Sequence, residues 1–186
     1  MKRLLTLGLS IVMVFTLTTP VFAAESIADP QPVHAITVDL DQVDFTKPFT
    51  KSFQVDTRSE TPATVTLEFT PAPQTRGSST NEASEGTWTS KYTIGIFSMS
   101  YQFDLEKVRS QWRMSNPRNH MYSGLFTSFS DPSLEIVRAQ STDTFPCEID
   151  ANVTATYFDN QWITIGTDTW FLYTTVTHDG TMTLNW

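Results

Sequence analysis

Apolar and aromatic residues recur at every second position through residues 86–105, GTWTSKYTIGIFSMSYQFDL. Trp88, Tyr92, Ile94 and Ile96 form one row, and Phe97, Met99, Tyr101, Phe103 and Leu105 form a second. Side chains on a strand alternate between faces, so each row points toward a core and leaves Thr, Ser, Lys and Gln outside. A helix cannot sort these residues that way. The rows are out of phase by one residue, and the slip falls at Gly95-Ile96-Phe97. Glycine inside a strand pattern marks a bulge or sharp bend, so the stretch reads as one long kinked strand or two strands meeting at a corner.

The same period recurs along the chain. Ile36 opens a short strand, Phe49, Phe53 and Val55 share a face with Lys51 interrupting, and Val65, Leu67 and Phe69 line a third strand between Pro62 and Pro71. Val108, Ser110, Trp112 and Met114 alternate with Arg109, Gln111 and Arg113; Leu105, Val108 and Trp112 also fit two turns of helix, but strands surround them. Asn116-Pro117-Arg118-Asn119 has the chemistry of a turn. Alternation resumes over 121–129, Asp131-Pro132 turns the chain, and Leu134 and Ile136 make another strand. Phe145, Cys147, Ile149, Ala151, Val153, Ala155 and Tyr157 form the longest unbroken row. Short strands follow at 162–165, 169–177 and 181–186, the last two joined around Asp179-Gly180, a hairpin signal. About nine or ten evenly spaced strands with almost no helix predict an all-β fold: a single antiparallel β-sandwich of immunoglobulin-like architecture.

The domain boundaries follow from composition. Residues 1–23 read as a signal peptide: Lys2 and Arg3 give a basic start, residues 4–17 are apolar but short for a membrane span, and Val21-Phe22-Ala23 suits cleavage. An uncleaved anchor is the alternative. Residues 24–35 carry two prolines and no periodicity, the marks of a flexible lead-in. The sandwich then occupies 36–186, with a long mobile loop at 70–86. Of 12 basic and 20 acidic residues the leader takes Lys2 and Arg3, which leaves 10 against 20 and a net charge of −10 over 163 positions. That balance opposes nucleic acid and anionic membranes as partners. The single cysteine, Cys147, has no partner for an internal disulfide, so apolar burial must hold the fold.

Chemistry is harder to find. Asp39, Asp41 and Asp44 are close enough to suggest calcium, but Val43, Asp44 and Thr50 occupy positions where a helical calcium loop needs other residues. A solvated acidic strand end fits better. His34, His120 and His178 share no zinc spacing, and Cys147 faces inward by its row, where a thiol is a small hydrophobe. No serine has a nucleophile-elbow context, and no pair of carboxylates stands out for glycoside hydrolysis. No cofactor motif is present. Two surface features remain as ligand-binding candidates. Phe171 and Tyr173 fall on the face opposite Trp170 and Leu172, where exposed rings can stack on sugars or anchor a protein; the lead-in or the long loop covering them is the alternative. Lys107, Arg109, Arg113 and Arg118 form a basic cluster suited to an anionic polymer or acidic partner, or simply the wet face of a strand.

The run Gly86-Thr87-Trp88-Thr89, then Gly95-Ile96-Phe97-Ser98-Met99-Ser100-Tyr101, the strand Leu134-Glu135-Ile136 and the terminal Asp-Gly hairpin resemble a family of small secreted proteins of Gram-positive bacteria, a domain of unknown function. The resemblance spans residues 45–186 and implies an extracellular β-sandwich. It carries over no functional residue. The chain departs from the family's pattern in its arginine-rich segment at 112–120 and in the length of the 70–86 loop. The expectation is a secreted, monomeric, noncatalytic extracellular binding or surface-interaction module, with a cell-envelope glycan or protein as partner and no membrane insertion once the leader is removed. A structural or accessory cell-envelope protein is the second reading, and a secreted hydrolase the third.

Overall fold

The computed structural model describes residues 35–55, 61–72, 86–159 and 163–186. The leader, the lead-in before Ala35 and positions 73–85 of the long loop lie outside the described residues. Ten strands make up nearly all of the rest: β1 (Ala35–Asp39), β2 (Phe49–Val55), β3 (Ala63–Pro71), β4 (Gly86–Ile94), β5 (Phe97–Val108), β6 (Gln111–Gly124), β7 (Thr127–Arg138), β8 (Cys147–Asp159), β9 (Ile163–Val176) and β10 (Thr181–Asn185). They form two antiparallel five-stranded sheets, one ordered β2-β3-β4-β5-β6 (sheet B) and the other β1-β10-β9-β8-β7 (sheet A). The expected sandwich is the observed one. Nearly every neighbour in a sheet is also a neighbour in sequence; only β1, which closes on β10, is not.

The central stretch is two strands, as one of the two readings has it, but they fold back on each other as a hairpin and do not meet at a corner. Ile94 pairs with Phe97 across the two-residue turn Gly95-Ile96, with φ 51° at Gly95. A two-residue turn places strand positions three apart directly opposite each other on one face, so the phase slip is what a tight hairpin requires. Both rows therefore point the same way, into the core, except Ile96, which belongs to the turn and is exposed. Other local readings change for related reasons. Asn116 and Asn119 have φ of 51° and 53° and sit inside β6, at two register shifts against β5. Asparagine tolerates the left-handed region equally in a turn and in a bulge, and here it makes bulges. Asp131-Pro132 behaves likewise in β7, whereas the alternation over 121–129 is broken by a turn at Leu125-Phe126. The strands expected at 162–165 and 169–177 are one strand, β9, with a register shift near Gly166. Phe145 lies before β8 and is exposed, with the Arg138 guanidinium 4.9 Å from its ring.

Two turns of chain carry it between sheets. β1 leaves sheet A through a short 3-10 turn at Leu40–Gln42, and the Leu125-Phe126 turn joins β6 to β7. At the far end of the same edge, Met114 N–H donates to the Ala139 carbonyl and Ser141 N–H to the Trp112 carbonyl, each at 2.8 Å. The core between the sheets pairs unlike sizes. Sheet B supplies Phe69, Trp88, Phe97, Tyr101, Phe103 and Trp112, all buried, while β8 supplies Ala151, Val153 and Ala155. Large rings against small side chains fill the gap at the spacing two sheets allow. Within this apolar layer three hydroxyls satisfy one another: Thr174 Oγ1 lies 2.6 Å from the Tyr101 hydroxyl and 2.9 Å from Ser90 Oγ. Each buried hydroxyl left unpaired would be costly, so this contact ties β9 in sheet A to β4 and β5 in sheet B.

Cys147 is fully buried at the start of β8, in keeping with its row, and its thiol donates to the Val176 carbonyl at 3.5 Å. Burial pushes its pKa up to about 12, which leaves almost no thiolate at neutral pH. Alkylation by iodoacetamide is therefore expected to be slow in native buffer and fast in denaturant; equal rates would place the thiol at the surface.

Candidate functional site

The outer face of sheet A carries the aromatic pair. In β9, Leu172, Thr174 and Val176 are buried, which turns Phe171 and Tyr173 outward. Phe171 is 52% exposed and Tyr173 half-buried. Two residues of strand separate their Cα atoms by ~7 Å. Across the ladder Phe171 is opposite Asn152, and Tyr173 is opposite Asp150 on β8 and Asn185 on β10. Rings for stacking thus lie beside amide and carboxylate groups for hydrogen bonding, on the outer face of an antiparallel sheet. Thr154 and Thr169 continue the polar margin, their hydroxyls 3.2 Å apart.

Asp150 is the unusual group here. Its Oδ1 is shielded from water and has no hydrogen-bond partner among the described residues. Burial, then the neighbouring Glu148 and Glu135, raise its pKa from the usual carboxylate value to about 6. Glu135 is its partner in register on β7. Since folding raises this pKa, the folded state holds the proton that the unfolded chain has released between pH 3.8 and about 6. Its contribution is most favourable below that window and is lost as pH climbs through about 6. Asp150→Asn is accordingly expected to raise the melting temperature at pH 7.5 and to leave it unchanged near pH 3.5; a gain of equal size at both values would contradict the assignment.

Within the basic cluster two of the four charges are paired across the ladder, and Arg109 and Arg113 are exposed. Glu106 lies opposite Arg113 in register and forms an ion pair with it. Arg118 meets Asp104 at 2.7 Å and also donates to Thr87 Oγ1 and the Asn116 carbonyl, each at 2.8 Å. Burial works to raise the Asp104 pKa, but hydrogen bonds from Arg118, Asn116 and Thr87 outweigh it and hold the carboxyl below its usual value. Lys107 sits 5.1 Å from the centre of the Trp112 ring. Arg109 occupies the β5–β6 turn with φ 61°. Cross-strand carboxylates, invisible as partners in a linear reading, pair with two of the four cations, Arg113 and Arg118. Two of the three aspartates are occupied locally: Asp39 caps the 3-10 turn by accepting from Asp41 N–H at 3.0 Å, and Asp44 accepts from Thr46 and pairs with Lys47 at 2.9 Å. Among the described residues no group of three His, Cys, Asp or Glu side chains is placed to hold a metal.

Sequence reasoning missed a concavity on the outer face of sheet B. It has a volume of about 430 Å³ and is lined by Lys91 from β4, Ser98 and Ser100 from β5, and His120, Met121 and Ser123 from β6. No motif signals it, because its residues come from three strands and meet only through their register. No protein-family model, no curated protein and no solved structure matches the chain.

Proposed function

We propose that the chain is an exported, noncatalytic binding module whose outer sheet-A face holds an extended ligand of the cell envelope, a glycan chain or a peptide. The observation that carries this reading is Phe171, half-exposed on the outer face of the sheet and bordered in register by Asn152 and, one pair along, by Asp150 beside Tyr173. An aromatic face offers a contact to the apolar side of a sugar ring, and adjacent amide and carboxylate oxygens accept from hydroxyls. Export is supported by the basic start and the Val21-Phe22-Ala23 site of the sequence.

Replacing Phe171 and Tyr173 together with serine is expected to abolish capture of cell-envelope material while lowering stability by no more than about 1 kcal/mol, as for surface side chains generally. Unfolding of the double variant would make the rings part of the core, and undiminished capture would move the site elsewhere. A second reading, an accessory protein packed into a larger envelope assembly, is favoured by the end of the sandwich where Ile96, Leu125 and Phe126 occupy turns and are 54%, 63% and 52% exposed. Apolar residues in tight turns, one of them with φ 52°, are unusual for a surface that meets only water. Capture that survives in the double variant would support this reading.

A further inference from the structure

The concavity on the outer face of sheet B lies on the opposite side of the sandwich from Phe171 and Tyr173. Its form follows from the ladder. Lys91, Ser100 and Met121 make one rung across β4, β5 and β6, and Ser98 and Ser123 are paired in the next outward-facing rung toward the Gly95-Ile96 turn, their hydroxyls 2.8 Å apart. Ser100 on β5 therefore lies between two long side chains, Lys91 and Met121, with the short Ser98–Ser123 pair beside it, and the result is a trough. The bulges at Asn116 and Asn119 bend β6 just before His120, and a bulged strand turns its side chains out of the regular pleat.

The chemistry of the lining is selective. It includes one ammonium and three serine hydroxyls, and no carboxylate, in a chain with 20 acidic and 12 basic residues. An ammonium and a hydroxyl can donate to an oxyanion, one proton of the Ser98–Ser123 pair being held within the pair, and the missing carboxylate removes the repulsion that the rest of the surface would supply. His120 forms part of the wall and adds no charge to it. Its Nε2 is shielded from water and has no hydrogen-bond partner among the described residues, while its ring packs edge-on to Tyr122 at 5.3 Å. Burial lowers its pKa, so the ring is neutral at physiological pH and can donate or accept through that nitrogen.

We propose that this trough is a binding site for a hydroxylated ligand carrying one oxyanion, a carboxylated or phosphorylated sugar unit, with Lys91 facing the anion, Ser98, Ser100 and Ser123 meeting the hydroxyls, and His120 as part of the wall. The Met121 side chain, 64% exposed, covers the apolar side of the ring. The site is independent of the aromatic pair on sheet A.

Titrating the ¹⁵N-labelled protein with glucuronate, glucose 6-phosphate, glucose and inorganic phosphate tests the assignment. Saturable shifts confined to the amides of Lys91, Ser98, Ser100, Met121 and Ser123 and to the His120 ring are expected with at least one anionic sugar, and which one responds identifies the anion. Glucose and inorganic phosphate should each bind at least tenfold more weakly than that sugar. Lys91→Met should weaken it at least tenfold without changing the melting temperature, since Lys91 is exposed, and added NaCl should weaken it further. The Phe171→Ser, Tyr173→Ser double variant should bind these probes like the unaltered protein. Equal binding of glucose, equal binding of phosphate alone, undiminished binding by Lys91→Met, or no saturable shift with either anionic sugar would each overturn the proposal.

Discussion

Trp88→Ala is expected to lower the stability of the fold by about 3–5 kcal/mol, a large share of what a domain of this size possesses. Trp88 is wholly buried in the middle strand of sheet B, and its ring packs against Phe69 at 4.9 Å, Phe49 at 6.1 Å and Phe45 at 6.2 Å. Removing it leaves a void bordered by three rings that are fixed by their own strands and by the Leu40–Phe49 connection. They cannot all move in to fill it, and an unfilled cavity adds to the lost burial. The indole Nε1 has no hydrogen-bond partner among the described residues, so Trp88→Phe deletes an unsatisfied donor along with part of the ring and should cost less than half as much. Urea unfolding of the two variants measures both. An alanine variant as stable as the parent, or a phenylalanine variant no better than alanine, would contradict this packing.

Gly86→Ala is the second large effect, and it works by excess volume. A Cβ on Gly86 would lie 2.0 Å from Cε2 and 2.6 Å from Cζ of Phe69, and 2.7 Å from the Thr70 carbonyl oxygen. Phe69 is buried against Trp88 and Phe45, so its ring has no room to retreat, and the carbonyl belongs to the β3–β4 ladder. Overpacking of this kind typically costs about 1–3 kcal/mol, and with backbone as well as side chain in the way the upper end is expected. Phe69→Leu removes the two ring atoms but not the carbonyl. In that background Gly86→Ala should therefore cost measurably less, though still something. Additive losses would show that the two residues do not meet.

These two positions also separate what a linear reading of the chain contains from what it does not. The period-2 rows through residues 86–105 and 147–155 place Trp88, Tyr101 and Cys147 inward, and all three are fully buried. The outward phase of Phe171 and Tyr173 is legible for the same reason. Alternation is a local property: each residue's face follows from its neighbours two positions away, so the sequence alone reveals it. Gly86 opens the same run as Trp88, but its close approach to Phe69 depends on β3, across the long loop, and no local pattern announces it.

The remainder is decided by pairing between distant segments. Gly95 permits a bend or a turn equally, and only the pairing of Ile94 with Phe97 makes it a hairpin. Asn116 and Asn119 accept positive φ in turns and bulges alike, and the β5 strand alongside selects bulges. Arg113 and Arg118 read as free charge along the chain, whereas register sets Glu106 and Asp104 against them. Lys91, Ser98, Ser100, His120 and Ser123 carry no pattern in the chain, and become neighbours because three strands align in one register. Burial preference is written residue by residue, whereas the contacts that neutralise a charge or shape a trough form only when the sheet closes and commits each strand to its partner.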